Sequence, residues 1–209
     1  MFSGTLSDTA QDALALLGES GLLSSSYLAG GSSLALQLGH RLSVDFDFFS
    51  QEKFDALEIK RKLERLGEYK SDELTKNTLL GIFEGVSFSL FHYPYKLIRP
   101  TQKFAKIDLA GPEDIAAMKL VAISDRSPKK DFIDIYFLAK EKFSIETMFG
   151  FYDQKYGVLT ENRFTLLKGL QYFEEAEISE MPVMLKPVDW DKVKQFFRDE
   201  VVRLWKIRL

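Results

Sequence analysis

Gly30-Gly31-Ser32-Ser33-Leu34-Ala35-Leu36-Gln37-Leu38-Gly39-His40-Arg41-Leu42-Ser43-Val44-Asp45-Phe46-Asp47-Phe48-Phe49 is the stretch that decides the fold. Residues 33–38 are apolar at helical spacing and Gly39 ends them; residues 44–49 alternate and read as a strand. Strand side chains alternate faces, so Asp45 and Asp47 point to one side. Val44, Phe46 and Phe48 then point to the other, into apolar packing. Two carboxylates side by side in a hydrophobic strand repel each other and resist desolvation, an arrangement that makes sense around a cation. Oxygen-only ligation by paired carboxylates suits Mg2+ or Mn2+, with substrate phosphates completing the shell. Gly30-Gly31-Ser32 supplies the other half. Placed between a strand and a helix, its amides and the helix N-terminus make an anion site, and the Ser32 hydroxyl adds a donor. The bland alternative is a plain glycine turn followed by two aspartates on a sheet edge.

Outward from this stretch, residues 7–18 form a candidate helix capped by Ser7 or Asp8, and residues 27–29 a short buried strand. Residues 54–66 are an amphipathic helix. Runs at 69–75, 78–83 and 86–91, separated by Lys76-Asn77 and Glu84-Gly85, predict an antiparallel meander. Residues 106–109 add a strand, stopped by Gly111-Pro112. Beyond it the period changes to 3.6, with helices expected at 113–124, 131–141, 145–156, 161–170 and 190–206. Strands mixed with helices, then helices alone, predict an α+β fold. Its mixed sheet would be flanked by helices in a core at 1–111, followed by a C-terminal helical bundle at 112–209 packed on that core.

The 209 residues are 45% hydrophobic and 28% charged, ordinary for a chain that buries a full core. Cysteine is absent, which excludes disulfides, thiolate zinc and a cysteine nucleophile. His40 and His92 are too few for a three-histidine metal site. The net charge of −3 argues against a generally basic nucleic-acid surface. No apolar run approaches the ~20 residues that span a bilayer, and the first basic residue is Arg41, so no membrane association and a cytoplasmic location are expected. Residues 96–130 are locally basic, with eight Lys or Arg against four acids, and can meet phosphate or merely solvate a surface.

The run from Gly30 to Phe49 resembles the first motif of nucleotidyltransferase-fold proteins, specifically the AbiEii/AbiGii toxin-like family of toxin–antitoxin and phage-defence systems. A second block, Met118-Lys119-Leu120-Val121-Ala122-Ile123-Ser124-Asp125-Arg126 with Lys130-Asp131-Phe132-Ile133-Asp134-Ile135-Tyr136, resembles that family's lysine and aspartate motif. A weaker third block, Gly169-Leu170-Gln171-Tyr172-Phe173 with Trp190 and Phe196-Phe197, is similar to its C-terminal helices.

The resemblance implies a DNA-polymerase-β-like core that transfers NMP from an NTP to tRNA, protein or a small molecule, with a separate antitoxin as partner. Gly30, Gly31, Ser32, Arg41, Ser43 and Arg126 are the candidate nucleotide-binding residues. Asp45 and Asp47 are the candidate metal ligands, and Lys119, Asp131 and Asp134 join them as candidate catalytic residues. Lys119 and Arg126 fall on nearly one helix face. Asp131 and Asp134 share a face at the start of the next helix, where an aspartate also serves as a cap. One departure stands out. The neighbouring strand usually carries a third carboxylate, but residues 86–91 offer Ser87 and Ser89. Either Asp131 or Asp134 replaces it, or the fold is catalytically silent and binds nucleotide or protein.

Overall fold

The strand of Asp45 and Asp47 lies inside a seven-stranded mixed sheet of order β3-β4-β5-β2-β1-β7-β6. In the computed structural model, which describes residues 1–124, 128–157 and 160–206, the chain divides into two units, Met1–Gly111 and Pro112–Leu209. The first unit contains all seven strands: β1 (Ser26–Leu28), β2 (Asp45–Ser50), β3 (Tyr69–Leu74), β4 (Thr78–Phe83), β5 (Val86–His92), β6 (Gln102–Phe104) and β7 (Ile107–Leu109). Its helices are α1 (Asp8–Ser20), α2 (Gly30–Leu38) and α3 (Ala56–Leu66). β2 pairs antiparallel with β1 and parallel with β5, so it is an interior strand, and the sheet-edge alternative is excluded.

Local chemistry sets these boundaries. Ser7 Oγ accepts from the Ala10 amide at the start of α1, and Asp55 caps α3 by accepting from Leu57 and Glu58. The β4–β5 turn places Glu84 and Gly85 both at positive φ, the geometry that matches the twist of a tight hairpin. Along β2, Phe46 and Phe48 are fully buried against Phe88, Leu90 and the Leu14 and Leu17 face of α1. Asp45, Asp47 and Phe49 alternate onto the opposite face, each partly accessible. The core therefore covers one side of the sheet and the aspartates occupy the other.

Four expectations need correction. Val44 precedes β2 and is 64% exposed, because the ladder begins only at Asp45. α2 starts at Gly30, so the glycines form its first turn instead of a preceding loop. β6 was not foreseen: its hairpin to β7 turns through Ala105 and Lys106, both at positive φ, so no glycine marks it. The basic stretch is also partly paired internally. Lys103 pairs with Asp108, Lys106 with Glu19, and Lys119 with Asp131 and Asp134. Burial pushes the Asp108 carboxyl up, but hydrogen bonds from Lys103 and Thr101 outweigh it and hold the group below the ordinary carboxylate range.

The second unit consists of α4 (Pro112–Ser124), α5 (Lys129–Glu141), α6 (Ile145–Tyr156), α7 (Thr160–Gly169), α8 (Glu174–Ile178) and α9 (Trp190–Lys206). α8, at five residues, is too short to show a helical period in sequence. Phe132 of α5 meets the rings of Phe173, Trp190 and Phe197, which ties α5 to α9. Gly169 lies so close to the Ile123 carbonyl that a Cβ there would come within 2.7 Å, fixing how near α7 approaches α4. Lys155 of α6 and Asp114 of α4 form a fully buried ion pair at 2.7 Å. No helix among the described residues is long and apolar enough to cross a membrane.

Candidate active site

Three short segments of the first unit converge on the open end of β2. β1 ends at Leu28, the Ala29 amide donates to the Asp47 carbonyl at 2.9 Å, and the chain turns directly into α2. Gly30 has φ +61, a left-handed conformation that glycine adopts without strain. A Cβ on Gly30 would lie 2.6 Å from Asp47 Oδ2, so backbone and carboxylate are in direct apposition. A Cβ on Gly31 would collide with Arg41 Nη2 and come within 3.1 Å of Ser43 Oγ. Gly30 is thus favoured by its backbone conformation, and both glycines let the Asp47 and Arg41 side chains approach the backbone.

Arg41 is 3% exposed and donates through Nη1 to the Leu42 carbonyl at 2.9 Å. Ser43 is buried, and its amide donates to Thr5. The turn between α2 and β2 is therefore anchored on both sides, with its guanidinium directed at the first turn of α2. Ser32 takes a different place from the one expected. Its hydroxyl donates to the Asp45 carbonyl, so the proton expected for a phosphate instead joins α2 to β2. At the far end of α2, Gln37 donates to the Ala110 carbonyl at 3.0 Å, adding a tie to the end of β7.

Asp45 stands opposite Ser87 and Asp47 opposite Ser89 in the parallel β2–β5 register. Ser87 and Ser89 are accessible positions of β5, on the face shared with the aspartates. The site face of the neighbouring strand therefore carries hydroxyls where a third carboxylate was sought. Among the described residues no group of three or more His, Asp or Glu is placed to hold a metal ion. Two adjacent carboxylates, with further oxygens from a bound phosphate, match the hard-cation chemistry of Mg2+. The residues fit the metal as a shared protein–substrate site.

In the second unit Lys119, Asp131 and Asp134 form a separate cluster. Lys119 Nζ lies 2.5 Å from Asp131 Oδ1 and 2.8 Å from Asp134 Oδ2, and all three side chains are at least nearly nine-tenths buried. α5 has no side-chain N-cap bond, and Asp131 spends its carboxylate on Lys119, which overturns the capping alternative. The lysine expected to meet phosphate is held by two internal carboxylates. Arg126 and Asp125 lie outside the described residues.

Comparison with known proteins matches residues 12–111 and 93–205 to the model of a family described as "Nucleotidyl transferase AbiEii toxin, Type IV TA system". The chain belongs to this family. It is accordingly a transferase of the nucleotidyltransferase class. An uncharacterised protein of Aquifex aeolicus (strain VF5) is 36% identical to this AbiEii chain over 186 residues, 87% of the chain and 88% of that protein. JHP933 of Helicobacter pylori superposes with TM-score 0.59 at 16% identity, covering 96% of this chain and 94% of its own. MenT4, the nucleotidyltransferase toxin Rv2826c of Mycobacterium tuberculosis H37Rv, gives 0.57 at 15% identity, covering 94% and 86%. At such identities the two structures speak for the fold.

Proposed function

We propose that this AbiEii chain transfers a nucleoside monophosphate from an NTP to an acceptor, tRNA, protein or a small molecule, as the toxin of a cytoplasmic toxin–antitoxin or phage-defence module. The observation that supports it is the apposition of Gly30 to the Asp47 carboxylate and of Gly31 to the Arg41 guanidinium. One turn of helix there meets both the Asp47 carboxylate and a buried cation. Amides at the start of α2 with Arg41 suit the negative phosphates of the nucleotide. Asp45 and Asp47 would hold Mg2+ or Mn2+, which, when bound, stabilises charge on the reacting phosphate and lowers the pKa of the acceptor hydroxyl. Gly30 keeps the backbone beside Asp47 free of any side chain, and Ser32 fixes β2 against α2. Ser43 Oγ faces Gly31 beside the Arg41 guanidinium and is a candidate donor to the same phosphates. In the second unit, Lys119 holds Asp131 and Asp134, and the three remain candidate catalytic residues on the family resemblance.

The test is incubation of the full chain with each labelled NTP, Mg2+, total tRNA and cell extract. Label on a macromolecule, with pyrophosphate released, is the expected result, and the labelled species identifies the acceptor. Mg-dependent NTP binding without pyrophosphate release would overturn transfer and leave a nucleotide-binding fold. Within this reading, Gly31→Val drives a branched side chain into the Arg41 guanidinium and Ser43. It is expected to weaken NTP affinity about tenfold, the scale of one charge-assisted hydrogen bond lost. Isothermal calorimetry checks it; retained affinity would place the phosphates elsewhere.

A further inference from the structure

The accessible side of β2 does not end at Asp47. Phe49 follows in the same alternation, and its register partner Phe91 follows Ser87 and Ser89 on β5. Their rings lie 5.6 Å apart between centroids, and Tyr93 meets Phe49 edge-on at 5.2 Å. Tyr95, 42% exposed, adds a further ring 5.0 Å from Tyr93. The Tyr93 amide donates to the Ser50 carbonyl at 2.7 Å, which carries the β2–β5 ladder past the end of both strands and fixes the tyrosine in place. On the other face Phe46, Phe48 and Phe88 are at most 1% exposed, while on this one Tyr27 of β1, 4% exposed, backs the Phe49 ring at 6.0 Å. Phe49, Phe91 and Tyr93 are only half-buried.

We infer that Phe49, Phe91 and Tyr93 form a stacking platform for a nucleobase, a reading that rests on the transferase function proposed above. Phe49 lies two residue steps beyond Asp47, about 7 Å along the strand. That is the scale of the ribose between a nucleotide's phosphate, or its reactive hydroxyl, and its base. Aromatic rings accept any base through its π-face, and neighbouring cations track the phosphates that accompany it. Lys96 and Arg99, both exposed, follow Tyr95 in the same segment and supply that charge. Aromatic rings beside acidic residues, with lysine and arginine beyond, suit a base attached to phosphate better than an apolar protein surface.

The base belongs either to the NTP or to a nucleotide acceptor, and one variant separates them. Tyr93→Ala removes a half-exposed ring beyond the end of β5, and Tyr93→Trp restores a stacking surface. Binding of each NTP, of tripolyphosphate and of a short single-stranded oligoribonucleotide is measured for the full-length wild type and both variants. If the platform takes the base of the NTP, Tyr93→Ala loses about tenfold in NTP affinity, keeps its tripolyphosphate affinity, and is rescued by Tyr93→Trp. If it takes an acceptor base, NTP affinity is unchanged and the oligoribonucleotide weakens by a similar factor. Unchanged affinity for both, with wild-type NTP binding intact, overturns the platform and leaves the transferase reading standing. A wild type that binds neither NTP nor tripolyphosphate overturns the transferase reading itself.

Discussion

Asp45→Asn combined with Asp47→Asn lowers Mg-dependent transfer by about a thousandfold or more, while the melting temperature holds or rises. Both side chains lie on one face of an interior strand, and Gly30 sits against one of them. Asparagine preserves their shape and removes both negative charges. A metal acting as Lewis acid contributes several kcal/mol to the transition state, and each ~1.4 kcal/mol is a factor of ten in rate. Loss of the metal's anchor therefore costs on the order of three decades. Stability moves the other way because two like charges a pleat apart repel each other in the folded state alone. Pyrophosphate release and scanning calorimetry on the same preparation read the two effects separately. Undiminished turnover would eliminate Asp45 and Asp47 as the metal's ligands.

Lys119→Met is the second large effect, and it appears first in stability. The ammonium group is shared by Asp131 and Asp134, with 10% of the lysine side chain and none of the Asp134 side chain accessible. Removing one partner of a buried ion pair strands charge in a poorly solvated place and costs about 3–5 kcal/mol. Here a single cation serves two carboxylates, which puts the expected loss toward the upper part of that range. Lys155→Met breaks the fully buried pair with Asp114 and is expected to cost a similar amount. The comparison separates roles. Urea denaturation gives both losses; transfer measured well below the melting transition should fall for Lys119→Met and stay near wild type for Lys155→Met. Equal retention of activity in both would make Lys119 a purely structural residue.

The site's first half was legible because its signals are local. Period-two alternation from Asp45 to Phe49 placed both aspartates on one face, and the paired glycines marked the junction between β1 and α2, though not that α2 begins at Gly30. Sequence could not show that Ser32 would spend its proton on the Asp45 carbonyl, since that bond depends on how close α2 lies to β2. Nor could it show that Lys119 would be claimed by Asp131 and Asp134, because both readings require the same face of the same helix. β6 escaped notice because Ala105 and Lys106 adopt the left-handed conformation without glycine. Phe48 is buried and Phe49 partly accessible although they are neighbours in sequence, because strand side chains alternate faces. Composition alone assigns both to the core.

β2 is locked in register from two sides, by β1 synthesised before it and by β5 synthesised long after. Asp45 and Asp47 are therefore held firmly only once Val86–His92 has emerged and paired, because a non-local parallel pairing closes late. A nascent chain halted between β2 and β5 already contains the glycines and both aspartates, yet lacks the strand that fixes them. Both flanking strands of the acidic pair are therefore present only after the chain has been translated past its first ninety or so residues.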